Sequence, residues 1–104
     1  MWHLPSIAPG SSQGETYRLD GSYNPVRVWA HVKVVPTIKE LILDINVDGE
    51  SIFTERLKLQ DDKDADTADF ANVQFSKDSL VSLDVDQVGG DPRDMTVGLE
   101  LEEA

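Results

Sequence analysis

The sequence predicts an all-β protein: an antiparallel β-sandwich of seven or eight short strands, jelly-roll-like in its winding. Three observations carry this. In Lys39–Thr54, Leu41, Leu43, Ile45 and Val47 fall at every second position, with Ile42, Asp44, Asn46 and Asp48 between them. A period of two puts the first set on one face of a strand and the second on the other. Asp48-Gly49 follows at once, a strong hairpin signal, because a type I′ turn needs positive φ at both central residues. Val26–Val35 alternates just as cleanly. Val26, Val28, Ala30, Val32 and Val34 share one face, and Arg27, Trp29, His31 and Lys33 the other.

Taken in order, residues 1–15 read as an N-terminal arm and 16–104 as the sandwich domain. Pro5, Pro9, Gly10, Ser11, Ser12 and Gly14 punctuate the arm, and no apolar period survives there. Trp2, Leu4 and Ile7 are its apolar residues. They belong either to a frayed terminus or to an arm that docks on a neighbour and buries Trp2 there. Thr16–Asp20 is a short first strand, ended by Gly21-Ser22. After Val26–Val35, Pro36-Thr37 breaks the chain before the central hairpin, whose return strand is Ser51–Thr54. Arg56–Gln60 is another short strand, and Asp61–Asp69 an acidic loop. Alternation resumes at Ala71, Val73 and Phe75, and Ser76–Ser79 reads as a turn. Val81, Leu83 and Val85 alternate with Ser82, Asp84 and Asp86. Gly89-Gly90-Asp91-Pro92 is a loop, and Val97, Leu99 and Leu101 form the last inward set.

A chain of 104 residues makes about one small domain. Cysteine is absent, which removes disulfides, thiolate metal sites and a cysteine nucleophile together. The longest apolar runs are far short of the ~20 residues that span a bilayer, and no signal peptide is visible in Met1–Pro5. Twenty acids face nine bases, for a formal net charge of -11. Residues 40–104 hold eighteen of the acids and five of the bases. Such a surface repels nucleic acid phosphates and anionic lipid. A disordered acidic chain would lack the alternating apolar pattern, so the acids cover a folded domain. High net charge keeps a protein soluble but destabilises it by self-repulsion in low salt. The composition therefore predicts a protein that works in concentrated salt.

Motifs for chemistry are sparse. Asp62, Asp64, Asp66 and Asp69 echo the opening of a calcium loop, but the glycine of the EF-hand turn and its closing Glu are missing. A solvated acidic loop is the expectation, with no metal and no cofactor. His3 and His31 are the only histidines, and no spacing supplies a carboxylate to complete a site with them. No nucleophile elbow, zinc helix or phosphate loop occurs, so the chain reads as a non-enzyme. Trp29 lies opposite the valine face, beside Arg27 and His31. It is either covered by a loop of its own chain or set at a subunit interface, where Trp is favoured. Trp2, Leu4, Ile7, Trp29 and His31 are thus the candidate partner-binding residues.

Two stretches carry a family resemblance. One is Val28-Trp29-Ala30-His31-Val32, then Pro36-Thr37, then Leu41–Gly49 and Ser51-Ile52-Phe53-Thr54. The other is Ser79–Val85 running into Asp86-Gln87-Val88-Gly89, then Asp91-Pro92 and Met95–Leu101. Together they resemble a small β-sandwich domain of virion structural proteins in tailed phages and related viruses. Asp61–Asp69 and Lys39-Glu40 depart from that pattern in the direction of the acidic bias. The resemblance implies a symmetric homo-oligomer on a virion, as a head decoration, turret or fibre component. Its partners are then identical subunits and other virion proteins, not nucleic acid or membrane. With the salt argument, it points to a tailed virus of a halophilic host. The competing expectation is a tail or baseplate module that contacts the host surface through Trp29, Tyr17 or Tyr23.

Overall fold

A computed structural model describes all residues, 1–104. Nine strands form: β1 (Trp2–Ser6), β2 (Tyr17–Arg18), β3 (Tyr23–Val34), β4 (Leu41–Val47), β5 (Glu50–Ser51), β6 (Leu57–Leu59), β7 (Asp64–Thr67), β8 (Leu80–Gln87) and β9 (Arg93–Glu103). They build two antiparallel sheets. One has the order β1-β9-β3-β7. The other has the order β2-β8-β4-β5, with β6 pairing the same edge of β4. The chain visits the sheets in turn: β1, β3, β7 and β9 lie in the first, β2, β4 to β6 and β8 in the second. This is a β-sandwich, and its sheet-to-sheet alternation is jelly-roll-like.

The two long alternating stretches of the sequence occupy the sheet centres. Val28, Ala30 and Val32 of β3 face inward and meet Leu41, Leu43, Ile45 and Val47 of β4 in one core of twenty apolar residues. Val81, Leu83 and Val85 come from β8, and Met95 and Val97 from β9. Asp48 (φ 51°) and Gly49 (φ 85°) both take positive φ, as the hairpin signal requires. Pro25 sits at a register shift of the β3–β9 ladder, a place where its missing N–H removes no ladder bond.

Four expectations are corrected. Residues 1–15 are not an arm: Trp2–Ser6 is an edge strand of the first sheet, in register with β9 from Trp2↔Val97 to Ser6↔Arg93. The following segment crosses to the second sheet, where Gly10 and Val85 exchange backbone bonds and the Gln13 amide donates to Leu83. The prolines and glycines that read as disorder mark this crossing.

Asp61–Asp69 is not wholly a loop. Asp64–Thr67 pairs with β3, Asp64 opposite His31 and Asp66 opposite Trp29. Aspartate is depleted in strands, but on an edge strand an outward charge deters pairing with other chains. Conversely, Ala71–Phe75 makes no strand. Phe75 contributes one bridge to Tyr23 and is buried, so side-chain alternation persists there without a ladder. Likewise only Glu50–Ser51 of the hairpin return is strand, and Phe53 forms an isolated bridge with Phe70.

Candidate functional site

The outer face of the four-stranded sheet carries the best-defined constellation. β3 directs Arg27, Trp29 and His31 away from the core because Val28, Ala30 and Val32 are the buried set. Trp29 stands directly opposite Gly98 of β9 and Asp66 of β7. The indole fills the space above Gly98: a Cβ built there would lie 2.3–2.5 Å from Cε2, Nε1 and Cζ2 of Trp29. Glycine is required by this close approach, and the ring covers the backbone it exposes. Trp29 ends half-buried on the outer face of its own sheet.

Charged partners flank the ring. The Arg27 Nε donates to Asp66 Oδ2 at 3.1 Å, and its Nη1 lies 3.9 Å from Glu100. The His31 Nδ1 is 2.7 Å from Asp64 Oδ1. On the same cross-strand row, His3 Nδ1 is 3.1 Å from Thr96 Oγ1, and Thr96 is opposite both His3 and His31. Both histidines therefore share one row of the outer face. A shallow depression of about 350 Å³ opens beside Trp29, between Arg27, Asp64 and Asp66. These ion pairs are solvent-exposed, so each is worth little in stability. Their effect is to hold the side chains around the indole in place. An aromatic surface with pre-set polar neighbours suits non-covalent contact. The His3–Thr96 pair is solvent-exposed.

The other candidates lie elsewhere. Trp2 is 3% exposed and Leu4 9%, both in the core of their own domain. The Trp2 Nε1–H donates to the Glu15 carbonyl at 2.6 Å, and Tyr17 meets its ring edge-on at 5.3 Å. Ile7 packs against the same core at the crossing between sheets. Placing Trp2 and Leu4 on a partner is thus corrected: the anchor they form is internal. Trp29 and His31 are together on one face, and the three arm residues are not on it.

A second polar cluster sits on the outer face of the five-stranded sheet. Asp44 and Asp84 are directly opposite each other, as are Asn46 and Ser82. Asp44 is only 3% exposed. Its Oδ1 accepts from the Ser51 hydroxyl at 2.5 Å, and its Oδ2 lies 3.4 Å from the Arg56 Nε. The same Arg56 atom is 2.6 Å from Asp86. Asn46 Nδ2 and the Ser12 amide both donate to Asp84. Burial pushes the Asp44 carboxyl above its usual range. The Ser51 bond and Arg56 oppose that rise, and Asp86 and Asp84 add to it. The cluster ties the crossing segment, the hairpin return and β8 together. Alternation alone puts Asp84 and Asp86 on one strand face and says nothing of this cluster. The missed signal was Arg56 just after the hairpin, the one cation within reach of both Asp44 and Asp86.

All four arginines are ion-paired, whereas Lys58 is the only lysine so held. A cleft of about 590 Å³ runs between β6 and β7 and carries Glu55, Asp61, Asp62 and Asp69 beside Arg56 and Lys58. No three of the Asp, Glu or His side chains converge as a metal-ligand set. No protein-family model, curated protein or solved structure matches the chain.

Proposed function

We propose that the protein is a non-catalytic building unit of a tailed virus particle, a head decoration, turret or fibre component. It assembles as a symmetric homo-oligomer and works in brine. One observation carries the reading. The two stretches that resemble virion sandwich domains form the central ladder of each sheet, β3 with β9 and β4 with β8. The resemblance therefore falls on the load-carrying frame and not on scattered loops. The acids fall mainly on outer faces and edges, which supports solubility at high ionic strength.

Packing of identical domains about a closed axis stabilises a unit this small. The expected contact is the outer face around Trp29 and His31, since the N-terminal residues are committed to the core. Purified particles of the virus encoding it are the test. The reading requires the protein at many copies per particle, in density on the head or tail surface. Its recovery only in infected-cell lysate would overturn the reading. The brine component is tested separately by thermal melting from ~0.1 M to ~3 M salt, where screening lengths fall from about 10 Å to below 3 Å. A rising melting temperature is expected, and a flat response refutes it.

The exposure of Trp29 favours a second reading, a tail or baseplate module that contacts the host surface. Tyr17 and Tyr23 contribute little to it. Their hydroxyls are engaged by the Met1 carbonyl and by Asp20, and both rings pack against the core. Binding of purified protein to host cells, lost in Trp29→Ala, would select this reading.

A further inference from the structure

We propose that the free edge of β9, Gly98–Glu103, accepts an extended segment of another protein in which apolar residues alternate with lysine or arginine. β3 pairs with β9 along its whole length, from Arg93 to Glu103. β1 pairs with the opposite edge only from Arg93 to Val97. Beyond Val97 that edge has no strand neighbour. Its backbone groups are a template for another chain.

The edge is backed by apolar surface. Between the sheets, just inside it, lies a cavity of about 400 Å³ walled by Trp2, Tyr17, Leu19, Tyr23, Leu99 and Leu101. That volume is within the range of ligand pockets, and Leu99 and Leu101 are only half-covered. A strand continuing the line of β1, antiparallel to β9, would set its residues opposite Leu99 and Leu101 over this cavity. Those opposite Glu100 and Glu102 would face outward. Both glutamates are exposed, and Glu100 has only the loose 3.9 Å pairing with Arg27. Basic residues at the outward positions complement them as cross-strand pairs. Main-chain bonds then give affinity, and the cavity gives specificity.

The occupant is another protein. Arg27–Lys33 and Arg56–Leu59 have the alternation in this chain. Their apolar residues Val28, Ala30, Val32, Leu57 and Leu59 are already buried in place.

The full chain, isotope-labelled for amide NMR, is titrated with an octapeptide of alternating Leu and Lys. Controls are a scrambled peptide of the same composition and an alternating Leu–Glu peptide. The alternating Leu–Lys peptide is expected to bind at least tenfold more tightly than either control. It should slow amide exchange within Gly98–Glu103. Leu101→Lys, checked for an unchanged fold, should weaken it about tenfold. Equal binding of the scrambled peptide would show bare charge attraction and overturn the proposal. So would protection at β5, β6 or β7 instead, or self-association of the peptide-free protein through the β9 edge.

Discussion

Replacing Trp2 by alanine is expected to lower stability by about 3–5 kcal/mol, the range for large aromatic truncations in a core. The structure supports a value of that size. Trp2 is 3% exposed, and a buried tryptophan removes roughly 150–250 Å² from water. At about 25 cal/mol per Å² that area corresponds to about 4–6 kcal/mol before any relaxation. The edge-on contact with Tyr17 is lost with it, as is the bond to the Glu15 carbonyl. A domain of 104 residues has only about 5–15 kcal/mol in total. With an unfolding entropy of about 2.1 cal/mol/K per residue, the melting temperature should fall by about 14–23 °C. Far-UV circular dichroism melts in fixed high salt measure it. Trp29→Ala is the control: its half-exposed ring is worth about 1 kcal/mol as a cross-strand contact. If Trp2→Ala melted within about 5 °C of the parent, the buried placement would be refuted. The first residues would then be the loose arm that their composition describes.

Gly98→Ala should destabilise by about 1 kcal/mol, because its Cβ meets the Trp29 indole at 2.3–2.5 Å and the ring must swing out. A double-mutant cycle with Trp29→Ala should recover most of that loss, and additive effects would refute the contact. Asp44→Asn addresses the buried carboxyl. The folded-state pKa is raised above its ordinary value of 3.8 by burial. Its contribution to stability is therefore full below pH 3.8 and is lost as pH rises through the raised value. The amide keeps an acceptor for Ser51 and does not titrate. Asp44→Asn should thus gain stability relative to the parent between pH 4 and pH 7 in urea unfolding. A pH-independent difference, or one of opposite sign, would contradict the assignment.

Much of the sandwich was legible because its central strands alternate: Val28, Ala30 and Val32, then Leu41, Leu43, Ile45 and Val47, then Val81, Leu83 and Val85 all turn to the core. The ends of β3 break the rule, since Val26 and Val34 share the valine period but are exposed, Val26 at the register shift with β9. The edge strands were harder, since their pairing depends on partners far along the chain. Trp2–Ser6 contains a proline and no regular period, and it is a strand only because β9 supplies the other half of the ladder. Asp64–Thr67 has the composition of a loop, and it is a strand because β3 is already extended beside it. Trp29 and His31 were placed on one face correctly by period two. The vacancy above Gly98 was not legible, because the β3–β9 register is set by folding and not by local sequence.

The pairing of Trp2–Ser6 with Arg93–Val97 has a consequence for biosynthesis. Both sheet centres wait for strands made late: β4 for β8, and β3 for β9. At a ribosomal pace of about 5–20 residues per second, Trp2 waits roughly 5–18 s before Arg93 is even polymerised. During that interval the nascent N-terminal half has no ladder for β1, and its valine-rich strand β3 is half-clothed. Completion is then a late closing event with slow, long-range kinetics, and the acids that crowd the chain repel neighbouring nascent copies until it occurs.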